Sequence, residues 1–182
     1  VVLLTSSGSI DDQAIADAVT DITTFSADLN AVEGIGATEV LELSVSQLSA
    51  DTTNGNIQID NAAATTLASS ITTGSGNILL NNSGNMTLTL VETIDGLITV
   101  SSTAGLTASS VKTGNNNAIS LSANSLFIDS VNAGLGTVDL TATAAIQQVN
   151  SVAVTDVIAT QLNATAVSGI DLDSNIDRVT LH

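Results

Sequence analysis

Five short segments along the middle of this chain follow one formula: Gly55-Asn-Ile-Gln-Ile59, Gly76-Asn-Ile-Leu-Leu80, Gly96-Leu-Ile-Thr-Val100, Asn117-Ala-Ile-Ser-Leu121 and Gly136-Thr-Val-Asp-Leu140. Their central residues, Ile57, Ile78, Ile98, Ile119 and Val138, stand 21, 20, 21 and 19 positions apart. A fixed period near twenty marks a solenoid, in which each repeat buries its apolar side only against its neighbours. Within each segment two aliphatic residues bracket a variable one, as Ile98 and Val100 bracket Thr99. That alternation of period two puts both aliphatics on one face of a strand. Leu79 alone makes the bracketed position apolar.

Two further apolar anchors recur in each period. One set is Leu67, Leu88, Leu106, Leu126 and Ile146, and the other is Ile71, Val91, Val111, Val131 and Val152. Three anchors per period imply three short strands per coil joined by bends. Glycine marks the bends, with Gly55, Gly76, Gly96 and Gly136 before the first strand and Gly74, Gly114 and Gly134 after the third. Glycine turns the chain there at low steric cost. The expected fold is therefore all-β, a parallel β-helix of about twenty residues per coil. It has roughly nine coils in a rod of about 40 Å.

Composition agrees with a narrow core. Hydrophobic residues make up 43% of the chain, yet Phe25 and Phe127 are its only aromatics and it has no Pro or Cys. Stacked Ile, Val, Leu and Ala fit one coil on the next, and Pro would remove a donor from internal strands. Abundant Asn at the bends predicts side-chain ladders along the axis. Residues 14–20 are the candidate for a helical turn, with an irregular rung as the rival reading. No apolar run reaches the length of a membrane span.

A longer period lies over the short one. Val19-Thr-Asp21 returns as Val154-Thr-Asp156, Leu29-Asn-Ala31 as Leu162-Asn-Ala164, and Gly34-Ile35 as Gly169-Ile170, at offsets of 135, 133 and 135. Residues 19–36 thus recur at 154–171. Residues 1–182 read as a single β-helix segment, an internal piece of a longer repetitive protein with a superrepeat of about 135 residues.

The run Ile22-Thr-Thr-Phe-Ser-Ala-Asp-Leu-Asn-Ala31, then Gly34-Ile-Gly36, Leu41-Glu-Leu-Ser-Val45 and Thr52-Thr-Asn-Gly-Asn-Ile57, resembles the repeats of giant filamentous-haemagglutinin-like bacterial surface proteins. The resemblance covers nearly the whole chain and implies a right-handed parallel β-helix. It implies an extracellular or cell-surface place on a Gram-negative bacterium, with roles in adhesion, biofilm formation or contact between cells. On that footing the expected function is a structural, adhesive stalk segment without catalysis. A self-assembling extracellular filament or surface-layer subunit is the alternative, and a β-helical carbohydrate-active domain the third. Expected partners are the chain itself or neighbouring repeats through end-to-end β pairing, and a host-cell or matrix carbohydrate or protein.

Charge narrows the classes. Eighteen acidic residues face only Lys112 and Arg178, for a net charge of −16. Nucleic acid and anionic lipid both demand clustered cations, so neither is an expected partner. A solvated acidic surface that keeps a β-rod soluble is the simplest reading. Calcium is the one cofactor to weigh, with Asp171, Asp173 and Asp177 as candidate ligands. Asp171-Leu-Asp-Ser-Asn-Ile-Asp177 opens like an EF-hand loop, but Ile176 stands where that loop needs Gly and His182 where it needs Glu. Asp11-Asp12 is the nearest thing to a hydrolase carboxylate pair, without the Arg, Lys or aromatic platforms such sites use. Gly134-Leu-Gly136 reads as a rung bend, and Thr87-Leu-Thr89 does not recur in successive rungs as an ice-binding rank would.

Overall fold

The computed structural model describes residues 1–12, 19–150 and 154–182. They form a parallel β-solenoid of about eight turns, with 21 strands and no helix. Three faces alternate around each coil. Face one carries β6 (Ile57–Asn61), β8 (Ile78–Asn82), β11 (Ile98–Ser102), β14 (Ile119–Ala123) and β17 (Thr137–Ala142). Face two carries β9 (Asn85–Leu88), β12 (Gly105–Ala108), β15 (Ser125–Ile128) and β18 (Ala145–Gln148). Face three carries β10 (Val91–Asp95), β13 (Val111–Thr113) and β16 (Val131–Asn132). At the ends longer strands run around the bends, as in β3 (Ile22–Ala31), β5 (Leu41–Thr52), β7 (Thr65–Ser75), β19 (Val157–Ala166) and β21 (Ser174–Leu181).

The five predicted column residues stack in one inward line. That line extends in register through Ile10, Ile35, Ile57, Ile78, Ile98, Ile119, Val138, Leu162 and Val179, nine levels in all. Everything from Ile35 to Leu162 in it is buried. At about 4.8 Å between strands, its eight steps span about 38 Å. Face three holds a second line, Leu29, Ala50, Ile71, Val91, Val111 and Val131. Leu79 lies outward and half-buried between Gln58 and Thr99.

Two anchors of the sequence reading change. The inward line of face two runs Thr66, Met86, Leu106, Leu126 and Ile146, not through Leu67 and Leu88. Leu67 points outward and is 38% exposed, while Leu88 is buried two residues beyond Met86 on the same inward face, opposite Ala68 and Ala108. A strand alternates sides, so a slip of one residue exchanges faces. Val152 lies outside the described residues, and Val157 is the residue in register with Val131. Most of the candidate helical turn also lies outside them.

The bend glycines have two physical causes. Gly55 (φ 87°) and Gly76 (φ 143°) adopt positive φ. At Gly96 and Gly136 the cause is close approach, because an added Cβ would run into the carbonyl oxygens of Gly76 and Asn117 one rung below.

Polar groups at two of the bends inside the coil are paired. Thr52, Thr73, Thr93 and Thr113 form a buried line at the bend after face three. The Thr73 and Thr93 hydroxyls donate to the Gly55 and Gly76 carbonyls at 3.0 and 2.9 Å, satisfying bend acceptors that the ladders leave open. At the bend after face one, Val45 falls between the stretches of β5 that pair with β6 and with β7. The Asn61 side chain fills that gap. Its Oδ1 accepts from Val45 N–H at 2.9 Å and its Nδ2 donates to the Val45 carbonyl at 3.0 Å.

Candidate functional site

Several outward side chains on faces one and three bond along the axis to the next rung. Asn81 donates to Asp60 at 2.6 Å, Ser101 to Asn81 at 2.6 Å, and Asn163 to Asp139 at 2.7 Å. Thr72 donates to Asp51, and Lys112 meets Glu92 at 3.3 Å in an exposed ion pair. The expected Asn ladder is found at the glycine bends: Asn56 Oδ1 accepts from Asn77 N–H and Asn77 Oδ1 from Leu97 N–H, at 2.9 and 2.8 Å. These bonds fix a repeating polar surface.

The carboxylates gather elsewhere than the sequence suggested. Asp171 faces outward beside Gln147, Asp173 lies in the turn before β21, and Asp177 is exposed within β21. No three-carboxylate group forms from them among the described residues. Oxygens of Asp12, Asp21 and Glu42 instead lie within 4.8 Å of one another. The Asp11-Asp12 pair is split: Asp11 caps Thr38 N–H at 3.0 Å, while Asp12 turns to Asp21 and Glu42.

This cluster is built by the coil. Asp21 N–H donates to the Glu42 carbonyl at 2.8 Å, and Glu42 N–H donates to Asp21 Oδ2 at 2.9 Å. Asp60 stands above Glu42 in the next rung. Burial pushes the Glu42 carboxyl up from its ordinary pKa, followed by the Asp21 charge, a hydrogen bond with Asp21, and the Asp12 and Asp60 charges. Glu42 Oε2 is buried and has no hydrogen-bond partner. The three carboxylates have the oxygen chemistry of a hard-cation site, but a shared proton relieves the same repulsion. The signal for this cluster in the sequence was acidic residues one rung apart, Asp21 and Glu42, rather than acids close along the chain.

A second acidic centre surrounds Asp156, which is only 2% exposed. Asp156 N–H donates to the Asp173 carbonyl at 2.7 Å, and Asp173 N–H donates to Asp156 Oδ2 at 2.8 Å. Burial pushes this carboxyl up. The hydrogen bond from Asp173 opposes that, and the charges of Asp173, Asp129 and Asp171 reinforce it. Comparison with protein-family models, curated proteins and solved structures finds no match to this chain.

Proposed function

We propose that this chain is a length of extracellular stalk from a large adhesin-like surface protein of a Gram-negative bacterium, with a structural, non-catalytic role. The observation that carries this reading is the unbroken inward line from Ile10 to Val179. Successive rungs stack an aliphatic residue at this position, so length can be added without a new design, as in other repeat architectures. A surface of bonded Asn, Ser, Thr and Asp suits a rod that spaces a binding tip from a cell. Neighbouring repeats are its first partners, and a host-cell or matrix carbohydrate or protein is the partner of the whole.

A second reading, a filament subunit joined through its coil ends, draws on the end rungs. The parallel ladders run in register through every level from Ile10 to Val179, and open strand edges of such ladders are templates for pairing. Electron microscopy of the native material with denaturing mass analysis separates the two. A thin rod of chains far larger than 18.2 kDa supports the stalk. A long fibre of chains near that mass supports the filament, and compact particles count against both.

A further inference from the structure

Face two carries the one aromatic side chain in the outward lines of the three faces among the described residues. Its outward line runs Leu67, Thr87, Thr107, Phe127, Gln147 and Asp171. Among the described residues, the Thr107, Gln147 and Asp171 side chains make no hydrogen bond. Phe127 lies partly exposed in the middle of the line, and its ring extends over Gly105, where an added Cβ would stand 3.8 Å from Phe127 Cε2. Next to it, Gln148 occupies the inward line that Ala68, Leu88, Ala108 and Ile128 fill below. Its Oε1 is buried without a partner. These side chains border a groove of about 450 Å³.

We propose that this groove binds a neutral pyranose unit of a glycan. The C–H side of a sugar ring stacks on the Phe127 ring, whose π face is weakly negative. The Thr107 hydroxyl one rung before Phe127, and the Gln147 amide and Asp171 carboxylate one and two rungs after it, with rungs about 4.8 Å apart, supply the polar contacts that orient hydroxyls. Charge selects within the class. With Asp171 in the groove and a chain net charge of −16, sialic and uronic acids are repelled and neutral sugars are not. An apolar peptide side chain would bury Gln147 and Asp171 unpaired, which disfavours it.

The test is a titration of the 182-residue chain with lactose, cellobiose and N,N′-diacetylchitobiose, followed by amide nitrogen–proton correlation spectra. The expected result is saturable shifts around Thr107, Phe127 and Gln147 from at least one disaccharide, with a dissociation constant of about 1 mM. Phe127→Ala loses the response, and Phe25→Ala, which removes the other exposed ring, keeps it. Gln147→Ala weakens binding about fivefold and serves should Phe127→Ala not fold. No saturable shift from any of the three, shifts confined to another face, or affinity unchanged in Phe127→Ala and Gln147→Ala overturns the proposal. The proposal does not rest on the stalk reading, so a failed titration leaves the microscopy result untouched.

Discussion

Asp156 holds Asp173 by two hydrogen bonds of opposite sense, and Asp21 holds Glu42 in the same way 135 positions earlier. Each clamp follows a Val-Thr pair, Val19-Thr20 or Val154-Thr155, and ties the entry of one rung to the rung above. Both clamps place a carboxylate among other carboxylates.

This placement has a pH consequence at Asp156. Its folded pKa is raised by burial above the ordinary 3.8, so the folded state binds the proton more tightly than the unfolded one. Stability therefore rises as pH falls from the folded pKa toward 3.8, and this contribution is flat below that value. Asp156→Asn keeps an oxygen for Asp173 N–H and removes the charge. It is expected to melt about 2 °C above the parent at pH 7, with the gap closing as pH falls. Circular-dichroism melts at pH 7 and at pH 4 check this. A variant that melts below the parent at pH 7 shows that the charge strengthens the clamp.

Ile98 tests the inward line. It is 1% exposed, between Ile78 and Ile119. Ile98→Asp puts an unpaired carboxylate in a core one coil wide and is expected to cost more than about 3 kcal/mol. Ile98→Val removes one methylene and costs about 1 kcal/mol. Denaturant melts rank the two. Equal midpoints for Ile98→Asp and the parent would mean that the side chain is not inside.

Glycine substitutions separate the bends from open positions. At Gly96 an added methyl meets the Gly76 carbonyl, and both are backbone, so neither yields easily. Gly96→Ala is expected to cost about 2–3 kcal/mol. Gly8 meets only the ends of the Glu33 and Ser6 side chains, at 3.8 and 3.9 Å. Gly8→Ala is therefore neutral or stabilising by about 0.5 kcal/mol through the unfolded chain. Thermal melts of both variants suffice.

How far the sequence disclosed this structure depends on the face. On face one, alternation and the Gly-x lead-in agree, so the column from Ile57 to Val138 was legible. On face two the pattern inverts at β7, where polar Thr66 is inward and Leu67 outward. Thr66 is admitted because its hydroxyl bonds Asn82 Oδ1 at 2.9 Å and receives Asn61 Nδ2 at 2.6 Å. Apolar counting does not see a partner from another rung. The acidic cluster was hidden for a related reason: a loop motif looks along the chain, and Asp21 and Glu42 meet across it. The groove beside Phe127 likewise combines residues from four successive rungs, Thr107 to Asp171.

Asn61 and Asn82 show what such a partner is worth. Both are 3% exposed, and Asn61 Nδ2 donates to Asn82 Oδ1 at 3.0 Å. Asn61→Ala leaves the Val45 N–H and carbonyl without that side chain, as well as Asn82 Oδ1 without one donor. Asn82→Ala chiefly frees the Asn85 carbonyl, which Asn82 Nδ2 reaches at 3.1 Å. The first is expected to cost about 3 kcal/mol and the second about 1–2 kcal/mol. The double variant should cost less than the sum by about 1 kcal/mol, because each single change strands a buried group that the double change removes. The line itself tolerates small residues, since Ser102 follows Asn82 and Ala142 follows Ala123. A double-mutant cycle by denaturant unfolding measures the coupling. Strict additivity would mean that the two amides act independently, each serving only its own backbone.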